Sequence, residues 1–247
     1  ACRINLDGIP LRPGEELQLP TLLVAFGQNE TQLLESYMDM TAQYMKARVP
    51  QYHLSVWSSA GDCQNQAGDA AQARQARTED LLANLIVGAG KNKTQRHPDN
   101  LVDIFQIGDG YQALIGHWLE NSAQFPNGMP YMVAKIKEAG LSPGIWLAPF
   151  LVASNAPISR EHPDWLLHNS HGRPITACIN PKWTSKRLFA LDPTHPDVLN
   201  HLAKLFETLT QDWGFVFIEA DYLYAAALPA ARHNPIYTDA GALRLGL

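Results

Sequence analysis

Two carboxylates, Glu219 and Asp221, stand two residues apart at the end of the apolar run Phe215-Val216-Phe217-Ile218. Side chains at i and i+2 of a strand share a face, so the pair projects to one side, about 6.5–7 Å apart. At that spacing each carboxylate opposes ionisation of the other. The run is β-branched and aromatic, follows the helix-ending pair Trp213-Gly214, and reads as a strand covered on both faces. In a protein of parallel strands, chemistry gathers at strand C-termini, where βα loops surround a pocket. Asp221 occupies such a terminus. An Asp there equally serves to end the strand or cap a following helix, and this stretch alone leaves both roles open.

The preceding chain supplies the elements that would position these groups. Residues 1–25 carry turn signals at Asp7-Gly8 and Pro13-Gly14 between strand-like pieces and read as the tail of a β-rich region or a linker. Residues 26–247 read as one partial (β/α) barrel domain. A helix is expected from Thr31 to Ala47, with Leu33, Leu34, Tyr37, Met38 and Met45 at helical spacing. HLSVWSS gives a first strand ending near Trp57, and residues 60–77 read as a loop or weak helix. A helix capped by Thr78 follows, then LVDIFQI as a second strand running into Gly108-Asp109-Gly110-Tyr111. Met129–Ala139 is a helix stopped by Gly140, and LSPGIWLAPFLV is a third strand interrupted at Pro149. The connection from Ala153 to Ala190 exceeds a routine βα loop, a length that usually marks function. The helix Pro196–Asp212 then leads to the fourth strand at Phe215. After Asp221 a loop and the first turns of another helix are expected.

This order, four strands each followed by helical material, predicts a parallel sheet of right-handed βαβ units: an α/β fold of (β/α)8 type, represented by its first four units. Half a barrel leaves two unpaired edges and an uncovered apolar interior, so homo-oligomerisation or pairing with a missing C-terminal half is expected.

Composition narrows the function classes. With 46% apolar residues in 247, the chain can bury a sizeable core. A net charge of −5 without a Lys/Arg-rich run points away from nucleic acid and anionic membrane. No apolar segment approaches a bilayer span, and the N-terminus lacks signal-peptide features. Cys2, Cys63 and Cys178 are far apart, which suits a cytoplasmic, reducing compartment, with secretion left open. His168 and His171 share a polar loop without a nearby third ligand, so no metal is expected. The chain also lacks GxSxG, P-loop and GxGxxG motifs, and no cofactor is expected.

Several stretches together resemble the family 36 α-galactosidases of the glycoside hydrolases: PGEELQLP (13–20), FQIGDGYQ (105–112), IGHWLENSAQFPNGM (115–129), GLSPGIWLAPF (140–150), HPDWLL (162–167), RLFALDPTHPDV (187–198), WGFVFIEADYLYAAALPAAR (213–232) and ALRLGL (242–247). The resemblance runs in family order over nearly the whole chain. It implies a (β/α)8 barrel preceded by a β-sandwich domain, and retaining hydrolysis of terminal α-galactosides. Asp221 stands where the family has its nucleophile, Asp109 where it has a sugar-binding carboxylate, and Trp146 where it has a pocket-wall tryptophan. Trp57, in VWSSAG, is the counterpart of the family's first-strand motif. A retaining enzyme needs a second carboxylate about 5–5.5 Å from the nucleophile as acid/base. The family carries that Asp on a later strand, beyond residue 247.

The sequence departs from the family at Gly108 (an Asp in relatives), at His117 (the Asp of a GDW motif) and at Glu219 (a Lys). All three positions belong to the expected sugar pocket, where Glu219 and His117 would stand as substrate contacts. Glu219 does not replace the acid/base, because two carboxylates on one strand approach a sugar from the same side. Two alternatives to a weakly active hydrolase follow from these departures and from the open edges: a non-catalytic carbohydrate-binding protein, and a self-associating or engineered half-barrel scaffold.

Overall fold

The computed structural model describes residues 11–19, 22–47, 54–59, 79–94, 102–181, 183 and 185–247. The chain divides into two compact units, Pro10–His53 and the remainder. The smaller unit contains helix α1 (Glu30–Tyr44), whose first turn is capped by Asn29, its Oδ1 accepting from the Gln32 N–H at 3.2 Å. The expected periodicity is present, but Leu34, Tyr37 and Met38 are exposed and α1 buries no residue.

The larger unit runs β1 (Val56–Ser58), α2 (Glu79–Thr94), β2 (Ile104–Ile107), α3 (Gly128–Glu138), β3 (Ser142–Leu147), β4 (Leu151–Ala153), α4 (Pro157–Glu161), β5 (Thr176–Ile179), β6 (Arg187–Ala190), α5 (Pro196–Glu207), β7 (Phe217–Ala220) and α6 (Asp239–Leu245). Strands β1, β2, β3 and β7 form one parallel sheet in that order, with a helix between each successive pair. This is the α/β arrangement of a (β/α)8-type barrel, with four βα units among the described residues. Thr78, the expected cap of α2, lies outside the described residues, as does the expected loop or weak helix at residues 60–77.

Register and alternation sort the strand residues into two faces. Trp57, Phe105, Ile107, Ile145 and Leu147 lie on one face and join a core cluster with Leu82 and Ile86 of α2, Met129, Met132, Val133 and Ile136 of α3, and Val198, Leu202 and Leu205 of α5. Ile104, Gln106, Gly144, Trp146, Phe217 and Glu219 lie on the other. Gly144 is required there. A Cβ at 144 would meet Ile104 Cγ2 at 2.9 Å and Phe217 Cδ1 at 3.1 Å, so glycine lets the flanking strands close over β3.

Three expectations change. The third strand ends at Leu147, and residues 151–153 leave the parallel sheet for an antiparallel one ordered β4-β6-β5. The connection from 153 to 190 is therefore folded, with a helix, a 3-10 turn and a hairpin. The fourth strand begins at Phe217, two residues late, and is only half-buried: Glu219 is exposed and Val216 is 69% exposed. Its apolar run suggested cover on both faces, whereas among the described residues no strand pairs with its outer edge.

Gly116 seats the loop after β2 on the second sheet. Its φ of +92° suits glycine, and a Cβ would meet Val152 Cγ2 at 2.7 Å. The Ile115 carbonyl accepts from the Ala153 N–H at 2.9 Å.

A buried charge network joins the start of α5 to the last segment of the chain. Asp192 Oδ1 accepts from the N–H and hydroxyl of Thr194 (2.9 and 2.8 Å), and its Oδ2 accepts from the His233 N–H at 2.6 Å. The Arg232 guanidinium lies 3.7 Å from Asp192 and 2.9 Å from Asp239. The side chains of Asp192 and Arg232 are 2% and 3% exposed. Removing one member of such a pair strands the other without water. Asp192→Ala is accordingly expected to lower unfolding stability by about 3–5 kcal/mol in denaturant titration, with Asp164→Ala, an exposed carboxylate, within about 1 kcal/mol of the parent.

Candidate active site

Asp221 follows the last residue of β7, and its N–H donates to the Leu147 carbonyl at 2.8 Å, so the β3–β7 ladder continues through it. That bond sets Asp221 beside the C-terminal end of β3. Its Oδ2 accepts from Trp146 Nε1–H at 3.2 Å, and its Oδ1 accepts from the N–H of Tyr222 at 2.7 Å. Tyr222 lies in the left-handed region, with φ 53° and ψ 31°. A bulky residue is strained in that conformation, and such strain clusters at functional sites.

Asp109 follows β2 by two residues. Its Oδ1 accepts from Gln112 Nε2–H at 2.7 Å and its Oδ2 from Trp183 Nε1–H at 2.7 Å. The turn holding it is fixed from both sides: the Gly108 N–H donates to Ser59 Oγ at 2.8 Å, and the Gly110 N–H to Gln112 Oε1 at 3.1 Å. Beneath it Tyr111 is fully buried. Its hydroxyl is pushed far above the ordinary phenol range, by burial first and by the Asp109 charge second.

The two carboxylates are bridged by aromatic rings. Trp146 and Trp183 lie 6.4 Å apart between ring centroids, Trp118 meets the edge of Trp146 at 5.9 Å, and Tyr222 lies 5.5 Å from Trp183. Two oriented carboxylates among aromatic rings suit a ligand with hydroxyl groups on one side and an apolar face on another.

The other residues expected at the site are distributed differently. Glu219 shares a register position with Trp146, and its carboxylate accepts from the Gln106 amide, reaching across β3. Glu219 and Asp221 thus have separate donors. Trp57 sits on the opposite face of the sheet, stacked on Phe105 at 4.5 Å. His117 lines a separate cavity of about 440 Å³ with Glu120, His162, Trp165 and His201, and its Nδ1 lies 3.1 Å from Glu120. Trp118, one residue on, lines the same cavity and also meets the edge of Trp146.

Sequence reasoning missed Trp183, Gln112, Gln106 and Ser59 as partners of these groups. Gln112 was in view as the last residue of FQIGDGYQ. The signal for Trp183 was a lone tryptophan in a polar stretch of an overlong connection. No group of three or more His, Cys, Asp or Glu suited to a metal ion occurs among the described residues.

Comparison with known proteins gives a consistent result. The model of the Melibiase family matches residues 100–235. The α-galactosidase AgaA of Geobacillus stearothermophilus is 25% identical over 126 residues, which cover 49% of this chain and 16% of that protein. The α-galactosidase of Escherichia coli is 32% identical over 73 residues, 27% of this chain and 10% of that protein. Among solved structures, the α-galactosidase TtGalA of Thermus thermophilus, in complex with p-nitrophenyl α-D-galactopyranoside, superposes with a TM-score of 0.63 at 31% identity. That match covers 80% of this chain and 35% of the other. The chain spans about a sixth of the length of the first curated relatives it matches.

The cavity beside His117 has its own titration behaviour. His201 is held below the ordinary imidazole range, by burial first and by the neighbouring His117 and His162 second. The folded state then binds this proton less readily than the unfolded chain, so stability declines as pH falls from about 6.5 through the depressed folded value. A thermal denaturation series between about pH 5 and 7.5 should show that slope, and His201→Asn should flatten it.

Proposed function

The chain belongs to the Melibiase family, and from that premise we propose that it acts on terminal α-galactosides as a retaining glycosidase, with Asp221 as the nucleophile. The observation that carries this reading is the position of Asp221. It ends a parallel strand beside β3, with one oxygen on the Trp146 indole N–H and the other on a backbone N–H. Both donors fix the direction of the carboxylate, which a nucleophile requires. Attack of one Asp221 oxygen on the anomeric carbon forms a glycosyl ester as the bond to the leaving oxygen breaks. Water then cleaves that ester, returning the carboxylate and releasing the sugar.

Asp109 accepts hydrogen bonds from hydroxyl groups of the sugar in this reading, and Trp146 forms the wall against its apolar face. Glu219 stands behind them, tied to Gln106. The TtGalA complexes with p-nitrophenyl α-D-galactopyranoside and with stachyose support an α-galactoside as the ligand class. A cytoplasmic setting and association through the outer edge of β7 belong to the same proposal. The first is supported by the cysteine spacing, the second by the exposure of Val216. No helix among the described residues is long and apolar enough to cross a membrane.

An aryl α-galactoside with an activated leaving group tests the reading, because such a group departs without help from a general acid. The α-anomer should release its aryl group and the β-anomer should not. Asp221→Asn should lower the rate on the order of a thousandfold or more while still binding galactose. Galactose binding without turnover in the parent would favour the non-catalytic carbohydrate-binding reading instead.

A further inference from the structure

The hairpin of β5 and β6 touches the loops that bear both carboxylates. On one side, the Tyr222 hydroxyl pairs with Asn180, while the Tyr224 hydroxyl donates to the Ala177 carbonyl at 3.2 Å and contacts Cys178. These bonds tie the hairpin to Tyr222 and Tyr224 in the turn that follows Asp221. On the other side, Trp183 sits where the hairpin reverses, its N–H donating to the Asn180 carbonyl at 3.2 Å, and its indole Nε1–H reaches Asp109 Oδ2 at 2.7 Å. The Asn180 N–H in turn donates to the Lys186 carbonyl at 2.9 Å, which closes the reversal.

We propose that Trp183 is a substrate-positioning residue, which holds Asp109 at a fixed orientation opposite Asp221 so that the same hairpin sets the geometry of both carboxylates. The proposal rests on the glycosidase reading for its ligand, and on the geometry alone for the contact. Three features separate it from ordinary packing. The bond is charge-assisted and short, and the remaining Asp109 oxygen is held by Gln112, so both oxygens are oriented by the protein. The Trp183 ring stands beside Trp146, whose own indole N–H holds Asp221, so two neighbouring indoles each grip one carboxylate. Trp183 is only partly buried and sits on a hairpin outside the parallel sheet, packed against the core from its margin.

An Asp109 fixed in this way meets a sugar hydroxyl without first having to be ordered. Loss of the indole donor therefore weakens ground-state and transition-state binding alike, and the effect falls on KM rather than on kcat. Loss of general folding would lower both.

Two measurements on the full chain test this. In the nitrogen–proton spectrum, the indole resonance absent from Trp183→Phe is that of Trp183, and it should move in Asp109→Asn. A resonance unmoved by Asp109→Asn overturns the proposal whether or not the chain binds sugar. With an aryl α-galactoside, Trp183→Phe should raise KM about tenfold and leave kcat within about threefold, with an unchanged melting temperature. If the parent turns over the galactoside and Trp183→Phe has the same KM, the proposal falls while the glycosidase reading stands. If the parent neither binds nor turns over galactosides, the glycosidase reading falls, and the indole resonance alone decides whether Trp183 holds Asp109.

Discussion

How closely β2 and β7 approach β3 governs the rest of the site, and Gly144 governs that approach. With no side chain at 144, Ile104 and Phe217 both close on the space a Cβ would fill. Gln106 and Glu219 then reach each other across it. The same closeness continues the β3–β7 ladder through Asp221, which is what brings its carboxylate within reach of the Trp146 indole. A larger residue would have to push one flanking strand away, and overpacking of that kind misaligns the strand ends as well as costing stability.

Around that frame the second sheet serves as a scaffold for the loops. It begins immediately after β3, receives the loop following β2 at Gly116 and Ile115, and sends its hairpin back toward both carboxylates. The pocket is thus assembled from four stretches of chain, residues 108–112, 146–147, 221–222, and 177–181 with Trp183. Each is held by hydrogen bonds to one of the others rather than by burial alone. The strained backbone at Tyr222 fits this arrangement, since its side chain is anchored on Asn180 while its N–H is committed to Asp221.

Much of this was legible in the sequence because it rests on local signals. Alternating helix and strand periodicities gave the parallel sheet, Gly140 marked the end of α3, and the apolar run ending in Asp221 marked a strand terminus. The antiparallel sheet was not legible, because β4, β5 and β6 are three- and four-residue strands and the pairing that sets β4 in it, Leu151 with Ala190, joins distant parts of the chain. The faces of Trp57 and His117 were illegible for a related reason. A one-residue difference in register moves a strand side chain to the opposite face, and a loop residue such as His117 has no periodicity to orient it. Trp183 had only its place in a polar stretch of a long connection to mark it, and only the fold brings it to Asp109.

The measurement that tests the account most directly is the intact mass of the chain after incubation with an activated α-galactoside whose glycosyl ester hydrolyses slowly. An adduct of one sugar per chain is expected, located by peptide mapping on Asp221 and absent from Asp221→Asn. A folded chain that gains no mass, or an adduct that maps to Glu219 or Asp109 instead, would contradict it.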